Sequence, residues 1–262
     1  MTTMVEFMLS EKINMPITYD VNDGIGLFTI DNGKVNAITH KMHEELYEHL
    51  KEFLSDDKVK VAILSGSRGK CFSAGDDLNE GDSYQNAGED ISDKIVLLPR
   101  NKPIIGAVNS WCIGTGLIYL SLLTEISVAG RSARFGLPEI AYAMAGATGN
   151  IRLSKNIPRV LANYLALTGE KITADKALEF HLINEVIDDH LVFSRALEIA
   201  KMIASHPLIG IQTEMQCINQ CSEMTLEDSR AFTRKLYDKQ LEIYHQSPEA
   251  QSGIEHIKKV VD

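Results

Sequence analysis

Two short turns built from small residues, each placed after a β-branched apolar run, constrain this chain more than any other feature. In the first, Val61-Ala62-Ile63-Leu64 leads toward Phe72-Ser73-Ala74-Gly75-Asp76-Asp77-Leu78. In the second, Ile104-Ile105-Gly106-Ala107-Val108 leads to Ile113-Gly114-Thr115-Gly116, which opens the apolar stretch Leu117–Ile126. Glycine and alanine let a ligand approach the main chain, and a loop that opens a helix presents free backbone N–H groups. Two such loops facing each other can hold a developing oxyanion, such as an enolate, between two N–H donors. That is the anatomy of carbonyl activation.

The rest of the chain reads as short strands returning to helices. Ile17–Tyr19 and Ile25–Ile30, split by Asn22-Asp23-Gly24, predict a hairpin. Thr39 predicts the N-cap of a helix through Leu54, with Met42, Leu46, Leu50 and Phe53 on one apolar face. Strands are expected at 59–65, 104–108, 125–129 and 133–135, with a helix at 114–124. Residues 79–93 are polar and poor in large apolar side chains, which suits a lid or a loosely packed helix. From Thr173 onward the pattern is mainly helical, with helices expected at 173–180, 190–204, 208–221, 225–245 and 248–260. The fold class is therefore α/β (α+β), built from repeated ββα units. Residues 1–15 form an N-terminal extension, 16–200 the core and 201–262 a helical region.

Composition narrows the partners. A chain of 262 residues with 44% hydrophobic content can bury a substantial core. The net charge of -10 and the lack of a basic patch argue against nucleic acid. Net charge says little about one pocket, so an anionic ligand held by a few lysines stays compatible with it. Cys71, Cys112, Cys217 and Cys221 show neither zinc-type pairing nor a disulfide framework, which points to a reducing compartment. The first residues lack the layout of a signal peptide, and no apolar run reaches membrane-spanning length, so a cytoplasmic protein is the expectation. His40, His43 and Glu44 have metal-like spacing, but on a helix read as exposed they are assigned to the surface, and no metal site is expected.

The Phe72-Ser73-Ala74-Gly75-x-Asp77-Leu78 turn, the Lys102-Pro103-x-Ile105-x-Ala107-Val108-Asn109 strand and the Phe135-Gly136-Leu137-Pro138-Glu139 run occur in an order and spacing that resemble the crotonase (enoyl-CoA hydratase/isomerase) superfamily. The resemblance extends from about Tyr19 to the terminus. It implies a spiral of ββα units with a C-terminal helical region that forms homotrimers, often paired as dimers of trimers. It also implies an acyl-CoA thioester substrate, with coenzyme A part of the substrate and no separate cofactor. On this likeness the backbone N–H groups of Asp76 and Thr115 are the oxyanion donors, and Glu139 is the acid/base. Segment Lys34–Ile38 would receive the CoA adenine, with Lys34 near a phosphate, and Lys258 and Lys259 would reach a neighbouring subunit's nucleotide. Lys34, Ala37, Ala74, Leu78 and Gly116 are thus candidate substrate contacts. Asp77 is read as holding its loop, and Glu125 as a structural bridge.

One position departs from the pattern. Hydratases that resemble this chain carry a second glutamate just after the glycine loop. Here, counting forward from the glycines places Ile118 in that slot, and counting back from Glu125 places Tyr119 there. Neither is a carboxylate. Adding water across a conjugated double bond is well served by two carboxylates, whereas shifting the bond needs one group to carry a proton between two carbons. Tyrosine, with an ordinary pKa of about 10, is a poor base at neutral pH. Double-bond isomerisation by Glu139 alone is therefore the expected reaction. The alternatives are a hydratase with a non-standard second group, a decarboxylation or C–C bond formation through the same enolate, or a non-catalytic acyl-CoA-binding subunit.

Overall fold

A computed structural model describes residues 16–67, 70–80, 91–146, 153–222 and 224–244. Strands β1 (Ile17–Asn22) and β2 (Ile25–Ile30) form the expected hairpin, closed by Asp23 and Gly24, both with positive φ. Two consecutive positive-φ residues match the twist of the paired strands. From β2 the sheet continues in parallel through β3 (Val61–Gly66), β4 (Ile104–Val108), β6 (Ile126–Gly130) and β9 (Glu185–Ile187).

Alternate residues of the central strands feed two separate cores, as the two-residue period of a strand requires. Val61, Ile63, Ile105 and Ala107 pack with Val192, Ala196, Ile199 and Ala200 of helix α6 (Val192–Ala204). Ala62, Leu64, Ile104 and Val108 face the other way, into the larger core. That core includes Met42, Leu46, Leu50 and Phe53 of helix α1 (His40–Ser55), and Leu117, Leu120 and Leu123 of helix α3 (Thr115–Leu123). Helix α1 starts where its cap predicts, with Met42 N–H donating to Thr39 Oγ1.

A second, smaller layer repeats the strand order of the first. Strand β5 (Trp111–Ile113) pairs in parallel with β7 (Arg134–Gly136), which pairs antiparallel with β8 (Lys171–Thr173). Isolated bridges Ser73↔Cys112 and Ile38↔Asp76 extend the layer on its other side. Strands β4 and β6 hand the chain to the outer layer through tight turns, β4 to β5 through Asn109 and Ser110 and β6 to β7 through residues 131–133. This is the ββα rhythm expected from the sequence. Helix α2 (Ile91–Leu97) follows the first outer segment, and α4 (Arg159–Thr168) and α5 (Ala174–Glu179) flank β8. The chain then passes from α6 to α7 (Leu208–Cys221) and α8 (Leu226–Tyr244). Strands β5, β8 and β9 and helix α4 were not expected from the sequence. The expected extension at 1–15 and helix at 248–260 lie outside the described residues.

Asn36 fastens the first small-residue turn to the sheet. It is fully buried, with φ of 50°. Its Nδ2 donates to Ile30 O at 3.0 Å and Cys71 O at 2.7 Å, while its Oδ1 accepts from Asn32 N–H at 2.9 Å. Losing the side chain removes the hydrogen bonds that Cys71 O and Asn32 N–H make to it, while Ile30 O keeps that from Ser67 N–H. Asn36→Ala is therefore expected to lower stability by about 2–4 kcal/mol, read as a reduced midpoint in urea unfolding. An unchanged midpoint would show that the turn is held elsewhere.

Candidate active site

The two turns predicted from the sequence meet in space. A β-carbon placed on Gly75 would lie 3.2 Å from Ile113 O and 3.5 Å from Thr115 N. One placed on Gly114 would lie 3.4 Å from Gly75 Cα. Both glycines have positive φ, 91° and 56°, so the close approach and the backbone conformation both call for residues without side chains.

Within the first turn the backbone donors are nearly all used. Phe72, Ser73, Ala74 and Asp77 N–H groups donate to Asn109, Trp111, Val35 and Ile38 carbonyls, and Gly75 N–H donates to Ser73 Oγ. The bridge to Ile38 uses Gly75 O and Asp77 N, so the N–H of Asp76 between them points to the opposite side of the strand. Among the described residues it makes no hydrogen bond. Thr115 is the first residue of α3, where an N–H has no partner within the helix. Each turn therefore brings one uncommitted backbone donor to the place where the turns touch.

Glu139 comes to the same place by a short route. Gly114 N–H donates to Gly136 O at 3.0 Å, locking β7 to the second turn, and Pro138 then opens the 3-10 helix Pro138–Tyr142. Glu139 Oε1 would lie 3.1 Å from a β-carbon on Gly114, and Oε2 is buried without a hydrogen-bond partner among the described residues. Burial pushes the Glu139 carboxyl above the usual carboxylate range, and the neighbouring charge of Asp76 pushes it further. Tyr142 is raised as well, by burial and then by the charges of Glu139 and Asp76. The arrangement joins a partly dehydrated carboxyl to two free N–H groups, with a second carboxylate close enough to be felt.

The remaining candidates divide. Ala74 N–H to Val35 O, and Ile38 N–H to Gly75 O, tie segment 34–38 to the first turn. Ala37 and Ala74 therefore lie next to the paired segments, whereas Lys34 stands in a turn and Leu78 in a short 3-10 segment, both exposed. Gly116 is spent on packing: a β-carbon there would meet Ser73 Cβ at 2.8 Å. Asp77 holds its turn as expected, its Oδ1 accepting from Asn79 N–H. Glu125 is the expected structural bridge, accepting from Arg100 Nη1 at 2.8 Å and Ile104 N–H at 2.7 Å. Ile118 is half-buried against the larger core, and Tyr119 is fully buried.

His43 corrects the reading of its helix as exposed. It is 1% exposed and lies between Tyr119 and Asp76, with Nδ1 2.5 Å from Tyr119 Oη and Nε2 3.2 Å from Asp76 Oδ1. A signal was present in the sequence. His43 stands three residues before Leu46 and seven before Leu50, on the apolar face of α1.

Comparison with known proteins fits this geometry. The description of the enoyl-CoA hydratase/isomerase family matches residues 20–257. The chain is 34% identical over 207 residues to the 2,3-dehydroadipyl-CoA hydratase of Escherichia coli, covering 77% of this chain and 80% of that protein. It is 30% identical over 241 residues to the mitochondrial enoyl-CoA hydratase of Pongo abelii, covering 88% and 79%. Its fold superimposes on the enoyl-CoA hydratase of Mycobacterium tuberculosis with a TM-score of 0.81 at 26% identity, covering 93% and 96% of the two chains. Among the described residues no helix is long and apolar enough to cross a membrane. With its layered ββα spiral and its two glycine turns closing on a glutamate, this chain belongs to the enoyl-CoA hydratase/isomerase, or crotonase, family.

Proposed function

We propose that the pocket forms and quenches the enolate of an acyl-CoA thioester, with Glu139 as the group that moves the proton. The observation that carries this reading is the unpartnered, buried oxygen of Glu139 beside two turns that each offer a free N–H. The thioester oxygen would sit between the N–H groups of Asp76 and Thr115, which strengthen their hold as negative charge develops. A carboxyl with a raised pKa gives and takes a proton near neutral pH more readily than an ordinary glutamate.

The simplest reaction open to this site is a double-bond shift. Glu139 takes a proton from Cα of a 3-enoyl thioester, the electrons pass into the dienolate, and the same carboxyl returns the proton to Cγ. The product is the conjugated 2-enoyl thioester, and no second acid/base is needed. Neither Ile118 nor Tyr119 supplies a carboxylate, and Tyr119 spends its hydroxyl on His43. Water addition is a second reading, favoured by the Asp76 carboxylate acting on Glu139. The similar curated proteins are named as hydratases, which points the same way. The exposed edge of Lys34 and Leu78 would carry the CoA portion.

Helices α7 and α8 leave Ile218 64%, Leu226 79% and Tyr237 52% exposed, whereas Met215 is buried within the chain. Such exposed apolar side chains fit contact with further copies of the chain, as a trimer or a dimer of trimers. Light scattering at micromolar concentration is expected to give a multiple of three chain masses, and a monomer mass would defeat this assignment.

Two variants test the chemistry. Glu139→Gln is expected to lose isomerisation of 3-enoyl-CoA by at least ~100-fold while the thioester still binds, because an amide cannot accept and return the proton. Thr115→Pro is expected to cost at least ~100-fold in kcat/KM, since proline deletes the N–H. A folded Thr115→Pro protein with native activity would remove that donor from the mechanism.

A further inference from the structure

Asp76, His43 and Tyr119 form a connected polar chain from the core to the pocket that a single-glutamate mechanism leaves unused. Tyr119 is wholly buried and lies 2.5 Å from Nδ1 of His43. Nε2 of the same ring lies 3.2 Å from Oδ1 of Asp76, whose side chain is 37% exposed. With the ring neutral and its proton on Nε2, both bonds form at once. Tyr119 O–H donates to Nδ1, and Nε2–H donates to the carboxylate. Burying a phenol and an imidazole costs desolvation that only partnered groups recover, so each link depends on the next. The chain begins in apolar surroundings on α3, crosses to α1, and ends on the residue whose own N–H faces the place where the two turns meet. Asp76 lies close enough to Glu139 and Tyr142 for its charge to raise both.

We infer that the Asp76 carboxylate is a second proton-transfer group of this site, aimed by His43 and Tyr119 as positioning residues, and that it lets the pocket add water to a 2-enoyl thioester. The inference rests on the reading of the pocket as an acyl-CoA enolate site. It locates the second carboxylate on the first turn rather than on α3, where Ile118 and Tyr119 stand.

The step balances without a further reactant. Asp76 takes a proton from water as the water oxygen bonds to Cβ. The π electrons move through Cα and the carbonyl carbon onto the thioester oxygen, between the two N–H donors. Protonated Glu139 then delivers its proton to Cα as the enolate collapses. The proton held by Asp76 passes to Glu139 through solvent, and the product is the 3-hydroxyacyl thioester. Two carboxyls that share a cavity suit this division, because the charge of one favours the protonated form of the other.

The test sets hydration against a reaction that needs Glu139 and the N–H donors but no second carboxylate. That reaction is exchange of the Cα protons of a saturated acyl-CoA with D2O. On the full chain, Asp76→Asn is expected to lower kcat for 2-enoyl-CoA hydration at least ~30-fold more than it lowers exchange, with Asp76→Glu recovering part of the loss. Tyr119→Phe, which keeps the buried ring, is expected to lower the hydration-to-exchange ratio by ~3- to 10-fold, with KM for the thioester close to native. If Asp76→Asn does not fold, the Tyr119→Phe ratio decides. Equal losses in both reactions, or native exchange without hydration, would overturn the role of Asp76 and leave the enolate reading standing. Absence of both reactions from the native protein would overturn the enolate reading as well.

Discussion

The contact between Gly75 and Gly114 is the constraint on which the site depends. Both glycines take a backbone conformation that L side chains rarely adopt, and a β-carbon on either would make a tight contact with the facing turn. Parallel pairing of β3 with β4 sets the two chains side by side, and the Ser73↔Cys112 bridge carries that alignment into the outer layer. A β-carbon on Gly75 would sit 3.2 Å from Ile113 O, so the turns would have to give by a few tenths of an ångström in addition to the backbone strain. The sheet thus fixes a distance that no local interaction in either turn could set.

Around this contact the protein keeps polar groups that a purely structural core would not retain. Glu139 holds an oxygen away from any partner among the described residues, and its carboxyl is raised by burial and by Asp76. Desolvation of this kind opposes folding, and the packing of the spiral supplies the compensation. Two cores, one on each face of the sheet, bury the central strands completely. Other buried polar groups are satisfied and serve structure. Lys102 donates to Phe53 O and Asp56 O at the end of α1, and Asn36 binds three backbone groups around the first turn. Glu45 Oε2 and Asn109 Oδ1 also lack a hydrogen-bond partner among the described residues, but the Glu139 oxygen lies beside the two glycine turns, and functional sites are where such groups gather.

Much of this was legible in local sequence. Thr39 capped its helix as expected, Met42, Leu46, Leu50 and Phe53 entered the core, and 208–221 formed a helix over the expected span. The glycine turns and Glu139 were marked by residue type and order. The short strands β5, β8 and β9 were not, because three-residue strands carry too little alternation to separate from loops. The burial of His43 was legible in its spacing from Leu46 and Leu50, but its partners Tyr119 and Asp76 were not, because residue spacing says which face of a helix a side chain takes and not what waits opposite it.

The sequence by itself therefore determined which pieces could form: β-branched strands, small-residue turns, capped helices, and a glutamate placed just after a proline. Those properties are local, set by propensity and backbone sterics within a few residues. Only the tertiary structure decided that Gly75 meets Gly114, that Glu139 turns toward that contact, and that Tyr119 leans through His43 onto Asp76. Each of these joins residues far apart in the chain, as His43 and Tyr119 are, at 76 positions. Such contacts arise from sheet register and layer packing, which are properties of the whole assembly and of no single segment.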